Sequence, residues 1–166
     1  MNAEAIALRP YRSEDLQAVI DTYAASIHAL AAPYYSPAQL AAWASANPDP
    51  AKWRQRLAAL KTYIAEVYGE SAGFISYTSG GYLDLLFVHP KFARRGVARR
   101  LHLWAESAWQ RARVTRATTH ASLAARSFFE SQGYEVEYEE NVACRGAFLR
   151  RFAMGKVLAA SKTENR

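Results

Sequence analysis

Cysteine is almost absent from this sequence: the one residue, Cys144, cannot close a disulfide within the chain. No cysteine or histidine spacing resembles a zinc site, so neither disulfides nor a structural metal are expected to hold the fold. A reducing cytoplasm is the expected setting. Nowhere do about 18 apolar residues run together, as a membrane span requires. The opening MNAEAIALRPYRSED also lacks the continuous apolar core of a signal peptide. Glycine and proline number only 8 and 6 and are scattered, so no linker divides the 166 residues. There is no internal repeat and no low-complexity tract. One domain over residues 1–158 is expected, with a short polar tail at 159–166 that frays.

Acid is scarcer than base. The formal net charge is +6, which permits a polyanionic partner. Much of the positive charge falls in two clusters, Arg94 to Arg100 and Arg111, Arg113 and Arg116. No helix-turn-helix, zinc finger or row of stacking aromatics accompanies it, which argues against nucleic acid and for a phosphate-bearing small molecule.

The chain is organised around LDLLFVHPKFARRGVARRLHLWAE, Leu83 to Glu106. An apolar run ends at Val88, a loop containing Pro90 follows, and a helix opens from Arg95. Val97, Leu101, Trp104, Ala105, Ala108 and Ala112 recur at three- and four-residue steps. They form one apolar stripe that leaves Arg99, His102, Glu106, Gln110 and Arg113 largely outside it. The first turn brings together Arg94, Arg95, Gly96, Val97, Ala98 and Arg99. A glycine, unpaired N–H groups and guanidinium charge there make a cradle suited to pyrophosphate.

Before this stretch, Ile6–Arg9 reads as a strand, and Ser13 as the cap of a helix whose stripe is Leu16, Val19, Ile20, Tyr23, Ile27 and Leu30. Ser36, Pro37 and Gln39 form a capping-box signature for a second helix through Trp43. Asp49 caps a third helix that buries Trp53, Leu57 and Leu60. From Thr62 three strands follow, the last entered through Gly80-Gly81. After the long helix come a strand at Arg116–His120, a helix capped by Ser122 and stopped by Gly133, and a half-buried strand alternating Tyr134, Val136 and Tyr138 with glutamates. A final strand starts at Ala147. The order predicts an α/β fold with a mixed sheet and helices packed on it.

Two spaced blocks give this layout a likeness. Val88-His89-Pro90 followed by Ala93-Arg94-Arg95-Gly96-Val97-Ala98, and Ser122 to Tyr134 with Ala125, Phe128, Phe129 and Gly133, resemble the signature of the GCN5-related N-acetyltransferase (GNAT) superfamily. The run YSPAQLAAW, Tyr35 to Trp43, is similar to a subgroup of small bacterial acetyltransferases. Three positions depart from the pattern: Ala93 stands for Arg or Gln, Ser122 for Asn, and Phe129 for a tyrosine. The resemblance implies a central, mostly antiparallel sheet of about seven strands flanked by about four helices. It implies acetyl-coenzyme A as donor and direct transfer to a primary amine of a small molecule or protein. Leu86, Phe87 and Val88 would offer main chain to the pantetheine. Residues Arg94, Arg95, Gly96, Val97, Ala98 and Arg99 would hold the pyrophosphate, with Ser122 and Phe129 completing the donor site.

The ammonium of an acceptor must lose a proton before it attacks. Candidate bases are His120, Asp84, Glu66 and His28; Tyr134, Tyr138 or Tyr35 could replace the absent tyrosine as acid. Asp84 could equally pair with an arginine, and Cys144 reads as a small buried hydrophobe. His28, Tyr34, Tyr35 and Trp43 would wall an aromatic acceptor pocket. A homodimer is compatible with the sequence. The alternatives are a non-catalytic acetyl-CoA-binding regulatory module and, behind it, a basic nucleic-acid-binding protein.

Overall fold

A computed structural model describes residues 5–159; the polar tail from residue 160 lies outside the described residues. In chain order they form β1 (Ile6–Pro10), α1 (Leu16–Leu30), α2 (Pro37–Trp43), α3 (Pro50–Ala58), β2 (Lys61–Val67), β3 (Glu70–Tyr77), β4 (Tyr82–Val88), α4 (Val97–Arg111), β5 (Arg116–Ser122), α5 (Arg126–Ser131), β6 (Glu135–Cys144) and β7 (Ala147–Val157).

Local chemistry explains the helix starts. The Ser36 hydroxyl accepts from the Gln39 N–H at 3.2 Å and the Gln39 side chain accepts from the Ser36 N–H at 2.8 Å. That reciprocal pair opens α2. Asp49 accepts from the Ala51 N–H at 2.9 Å and opens α3. Ser13 is not the cap of α1: a 3₁₀ turn, Ser13–Asp15, precedes the helix, and the Asp15 carboxylate takes the Arg12 N–H at 2.8 Å. Arg9 grips the same carboxylate at 2.7 and 2.8 Å, so the acid is held by two partners while a serine hydroxyl would offer the turn only one.

The sheet runs β1-β2-β3-β4-β5-β7-β6. Every pair is antiparallel except β4–β5. Insertion of β7 between β5 and β6 leaves β6 at the edge. The half-buried strand expected there is therefore exposed, with Val136 at 36% and Tyr138 at 54%; Tyr134, just before it, is buried.

Helices cover both faces. α4 and α5 bury Val97, Leu101, Ala105, Trp109 and Phe129 against Ile75, Leu83 and Ala117. On the opposite face α1 and α3 bury Leu16, Val19, Ile20 and Leu57 against Ile64, Phe74 and Leu85. A third cluster, with Ile27, Tyr35 and Leu40, joins α1 to α2. Each fully buried side chain of this size contributes about 1.5–3 kcal/mol. His102 departs from its expected place outside the stripe of α4. It is fully buried, because its Nε2 meets the Tyr134 hydroxyl at 3.0 Å. Among the described residues, no helix is long and apolar enough to cross a membrane.

Candidate active site

The parallel pair β4–β5 is the shortest in the sheet. Tyr82 aligns with Thr118 and Leu83 with Thr119, and there the pairing ends. On its other side β4 stays paired to β3 as far as Val88, opposite Gly73. A Cβ on Gly73 would stand 2.8 Å from the Phe87 carbonyl oxygen and 3.1 Å from Val97, so glycine lets β3, β4 and the start of α4 close up. The result is a wedge whose β4 wall presents the main chain of Asp84–Val88 without a strand partner. Such groups seek hydrogen bonds from whatever enters.

A cavity of about 770 Å³ fills this wedge. Leu86, Phe87 and Val88 line one side, Arg94, Gly96, Val97, Ala98 and Arg99 the end, and Ser122 and Phe129 the other side. Ten of the eleven residues expected to hold the donor thus meet in one space; Arg95 instead lies with its guanidinium 5.8 Å from the Phe92 ring. Gly96 is the N-cap of α4 at φ 83°, a left-handed conformation that glycine adopts without strain. The free N–H groups of the first turn of α4 and the Arg94 and Arg99 charges make this end electropositive.

Of the residues expected to face an acceptor, Tyr34 and Trp43 line the cavity. Tyr35 does not: it is buried, its hydroxyl donating to the Arg150 carbonyl at 2.7 Å and accepting from the Leu123 N–H at 2.9 Å. His28 lies 3.3 Å from the Ala44 carbonyl and outside the lining.

The candidate proton-transfer groups separate. Asp84 and His120 are the first residues beyond the last aligned β4–β5 pair, and neither is among the residues lining the wedge cavity. Both Asp84 oxygens accept from Arg56, at 2.8 and 3.0 Å. His120 Nδ1 lies 2.8 Å from the Tyr82 hydroxyl, and its Nε2 lies 3.7 Å from Glu140 Oε1. Burial, with help from Arg151, holds the His120 imidazole below its ordinary pKa, against the opposing pull of Glu140 and Asp84. Glu66 is tied to Arg9 at 2.7 Å on the β1–β2 side of the sheet. Tyr134 is 2% exposed and bonded to His102, away from the cavity lining. Cys144 is half-buried, its thiol 3.2 Å from the Ala42 carbonyl.

Tyr82 and Arg151 were not foreseen beside His120, and Glu140 was read only as part of an acidic strand face. Tyr82 carried a signal, two positions from Asp84 on one strand; Arg151 carried none, since β7 reaches β5 only through the strand order.

A model of the acetyltransferase (GNAT) domain family matches residues 31–156, three quarters of the chain and both strands of the wedge. The chain belongs to the GNAT family of acetyltransferases. A relative, the uncharacterized N-acetyltransferase YafP of Escherichia coli K12, is 34% identical over 152 residues, covering 90% of this chain and 94% of that protein. The crystal structure of a GCN5-related N-acetyltransferase from Rhodopseudomonas palustris superposes with a TM-score of 0.91 at 35% identity, over 95% of this chain and 99% of that one. At 19% identity and a TM-score of 0.71, the PaiA N-acetyltransferase of Thermoplasma acidophilum, solved with coenzyme A, shares the fold over 92% of this chain and 99% of its own. This GNAT chain is thus an acyltransferase with a mixed α/β fold.

Proposed function

We propose that this protein transfers an acetyl group from acetyl-coenzyme A directly to a primary amine, both substrates being bound together. The observation that carries the reading is the wedge: an open β4 main chain continuous with a basic, glycine-capped helix N-terminus in one cavity. The residues present fit the donor. The Asp84–Val88 edge matches the amides of a pantetheine arm, and the first turn of α4 with Arg94 and Arg99 matches a pyrophosphate. When bound, acetyl-coenzyme A supplies an activated acetyl thioester.

The chain's own groups then do three things. The cavity walls hold thioester and amine side by side, which removes most of the entropic cost of their meeting. A main-chain N–H on the open β4 edge donates to the thioester carbonyl oxygen as negative charge grows on it. His120, set outside the cavity lining, removes the amine proton through intervening water. In the tautomer whose Nδ1–H donates to the Tyr82 oxygen, Nε2 keeps its lone pair for that proton, and Glu140 stabilises the imidazolium formed. Asp84 is the poorer base because Arg56 occupies both of its oxygens. Tyr134 is unsuited to the acid role because its hydroxyl is buried against His102.

The test is release of free thiol from acetyl-coenzyme A with a broad panel of primary amines. Turnover with an identified N-acetyl product is expected. Tight acetyl-coenzyme A binding without transfer to any amine would overturn the enzymatic reading in favour of a regulatory module, for which the phenylalanine at position 129 would then be the reason.

A further inference from the structure

A second cavity, of about 280 Å³, lies against α1, α3 and the end of α2. Trp43 lines both it and the wedge cavity. Phe87, on the wedge side, meets Trp43 with ring centres 6.4 Å apart and Tyr23 at 4.7 Å. A single aromatic layer therefore divides the two spaces. Beyond it the walls are Tyr23, Trp43 and Trp53, with Tyr23 and Trp53 edge-to-face at 4.8 Å.

The charges around this aromatic box do not balance. Arg56 is neutralised by Asp84. Asp49 is occupied by the start of α3, accepting from the Ala51 and Lys52 N–H groups at 2.9 and 3.5 Å. Arg145 donates through Nη1 alone, to the Ala42 carbonyl at 2.7 Å and the Trp43 carbonyl at 3.4 Å, neither of which carries a counter-charge. Lys52 has no acidic partner among the described residues. Lys52 and Arg145 set against the Asp49 carboxylate leave one net positive charge beside the edge-to-face rings of Tyr23 and Trp53, a combination that can hold an aromatic ring and an anion.

We propose that this second cavity anchors the acceptor, and that the acceptor is a small aromatic amine carrying a carboxylate, of the size of a free aromatic amino acid. The volume is at the lower end for small-molecule sites, which favours a metabolite over a polypeptide. The ring would lie among Tyr23, Trp43 and Trp53, with the carboxylate toward Lys52 and Arg145 and the amine, on the same carbon, at the Trp43 boundary with the wedge. This assignment rests on the reading that the wedge holds the acetyl donor.

The experiment compares L-phenylalanine with phenethylamine, L-tyrosine with tyramine and L-tryptophan with tryptamine, on the wild type and on Lys52→Glu. At least one amino acid is expected to show a kcat/KM about tenfold above that of its decarboxylated partner. In Lys52→Glu the ratio should fall toward one while acetyl-coenzyme A affinity, measured by calorimetry, is retained. Equal rates within all three pairs, or a preference that survives Lys52→Glu, overturns the assignment. If the wild type acetylates none of the six, calorimetry on the coenzyme A-loaded protein separates the two readings. An amino acid bound by the wild type and lost in Lys52→Glu keeps the cavity as a binding site but overturns it as the acceptor site, leaving the transferase reading to the broad amine panel; no binding by any of the six overturns the cavity assignment itself.

Discussion

Two substitutions at Gly96 separate backbone strain from charge in the donor cradle. The residue sits at φ 83° and a Cβ there would meet nothing within 4 Å. Gly96→Ala therefore brings strain without a clash, about 1–2 kcal/mol for an L-residue held left-handed. In a chain of this length that lowers Tm by roughly 2–8 °C. Gly96→Glu brings the same strain and also places a carboxylate in the open space in front of α4. With a phosphate at about 6 Å and an effective dielectric of about 20, the repulsion is roughly 3 kcal/mol per unit charge, or more than a hundredfold in Kd. Thermal melts and acetyl-coenzyme A calorimetry at low and high salt are the assays. Both variants should melt at the same lowered temperature, and only Gly96→Glu should lose binding, partly regaining it as salt screens the repulsion. Equal affinity loss in the two variants would assign the effect to the backbone, and wild-type affinity in Gly96→Glu would refute the cradle.

Three further outcomes follow from other groups. The kcat/KM of the wild type should rise with pH as His120 loses its proton, with a midpoint below the ordinary 6.5 because burial and Arg151 disfavour the imidazolium. Arg151→Gln should move that midpoint up and Glu140→Gln move it down, and a rising limb that persists in His120→Gln would place the base elsewhere. Arg56→Met strands the Asp84 carboxylate at 19% side-chain exposure and should cost about 1–3 kcal/mol in urea unfolding. The double variant with Asp84→Asn should recover most of that loss; no recovery would show that the guanidinium acts through packing. His102, fully buried and pushed down to about 4 chiefly by desolvation, takes up its proton more readily when unfolded. Stability should therefore fall by up to about 1.4 kcal/mol per pH unit as pH drops from 6.5 toward 4. His102→Leu should flatten that slope, and identical slopes would exclude this histidine as the titrating group.

Local rules carried the reading of the sequence a long way and stopped where strands are reordered. The stripe from Leu16 to Leu30, the Ser36–Gln39 cap and the Asp49 cap each depend on residues within one or two turns, and each helix forms where they indicate. Most of the residues that line the wedge cavity were legible because they are nearly contiguous, from Leu86 to Arg99. The edge position of β6 was not, since chain order alone places β6 rather than β7 beside β5. Hence Val136 and Tyr138, read as one buried face, point to water. The partners of His120 come from β4, β6 and β7, and the walls of the second cavity from α1, the 43–56 stretch and Arg145, so no single spacing in the sequence connects them. At the β6–β7 turn, where Gly146 sits at φ 82°, nothing local showed that Arg145 reaches back to α2.

The placement of phenols bears on how the leaving thiolate is handled. Phe129, where the resembled signature has tyrosine, is 3% exposed and forms part of the cavity wall. The Tyr134 ring packs behind it at 5.2 Å, and its hydroxyl is turned to His102. Burial raises the Tyr134 pKa further, so it is a weaker acid than an ordinary phenol as well as a hidden one. Tyr34 is the phenol remaining in the wall, at 53% exposure, too open to water to be a dedicated donor. A thiol with a pKa near 8.5 leaves as a tolerable anion close to neutral pH and can take its proton from water or from the ammonium product. The amine is in the opposite position, because at neutral pH it arrives protonated and cannot attack. Proton removal is thus the step for which protein chemistry is needed, and it is the role proposed for His120, held between Tyr82 and Glu140.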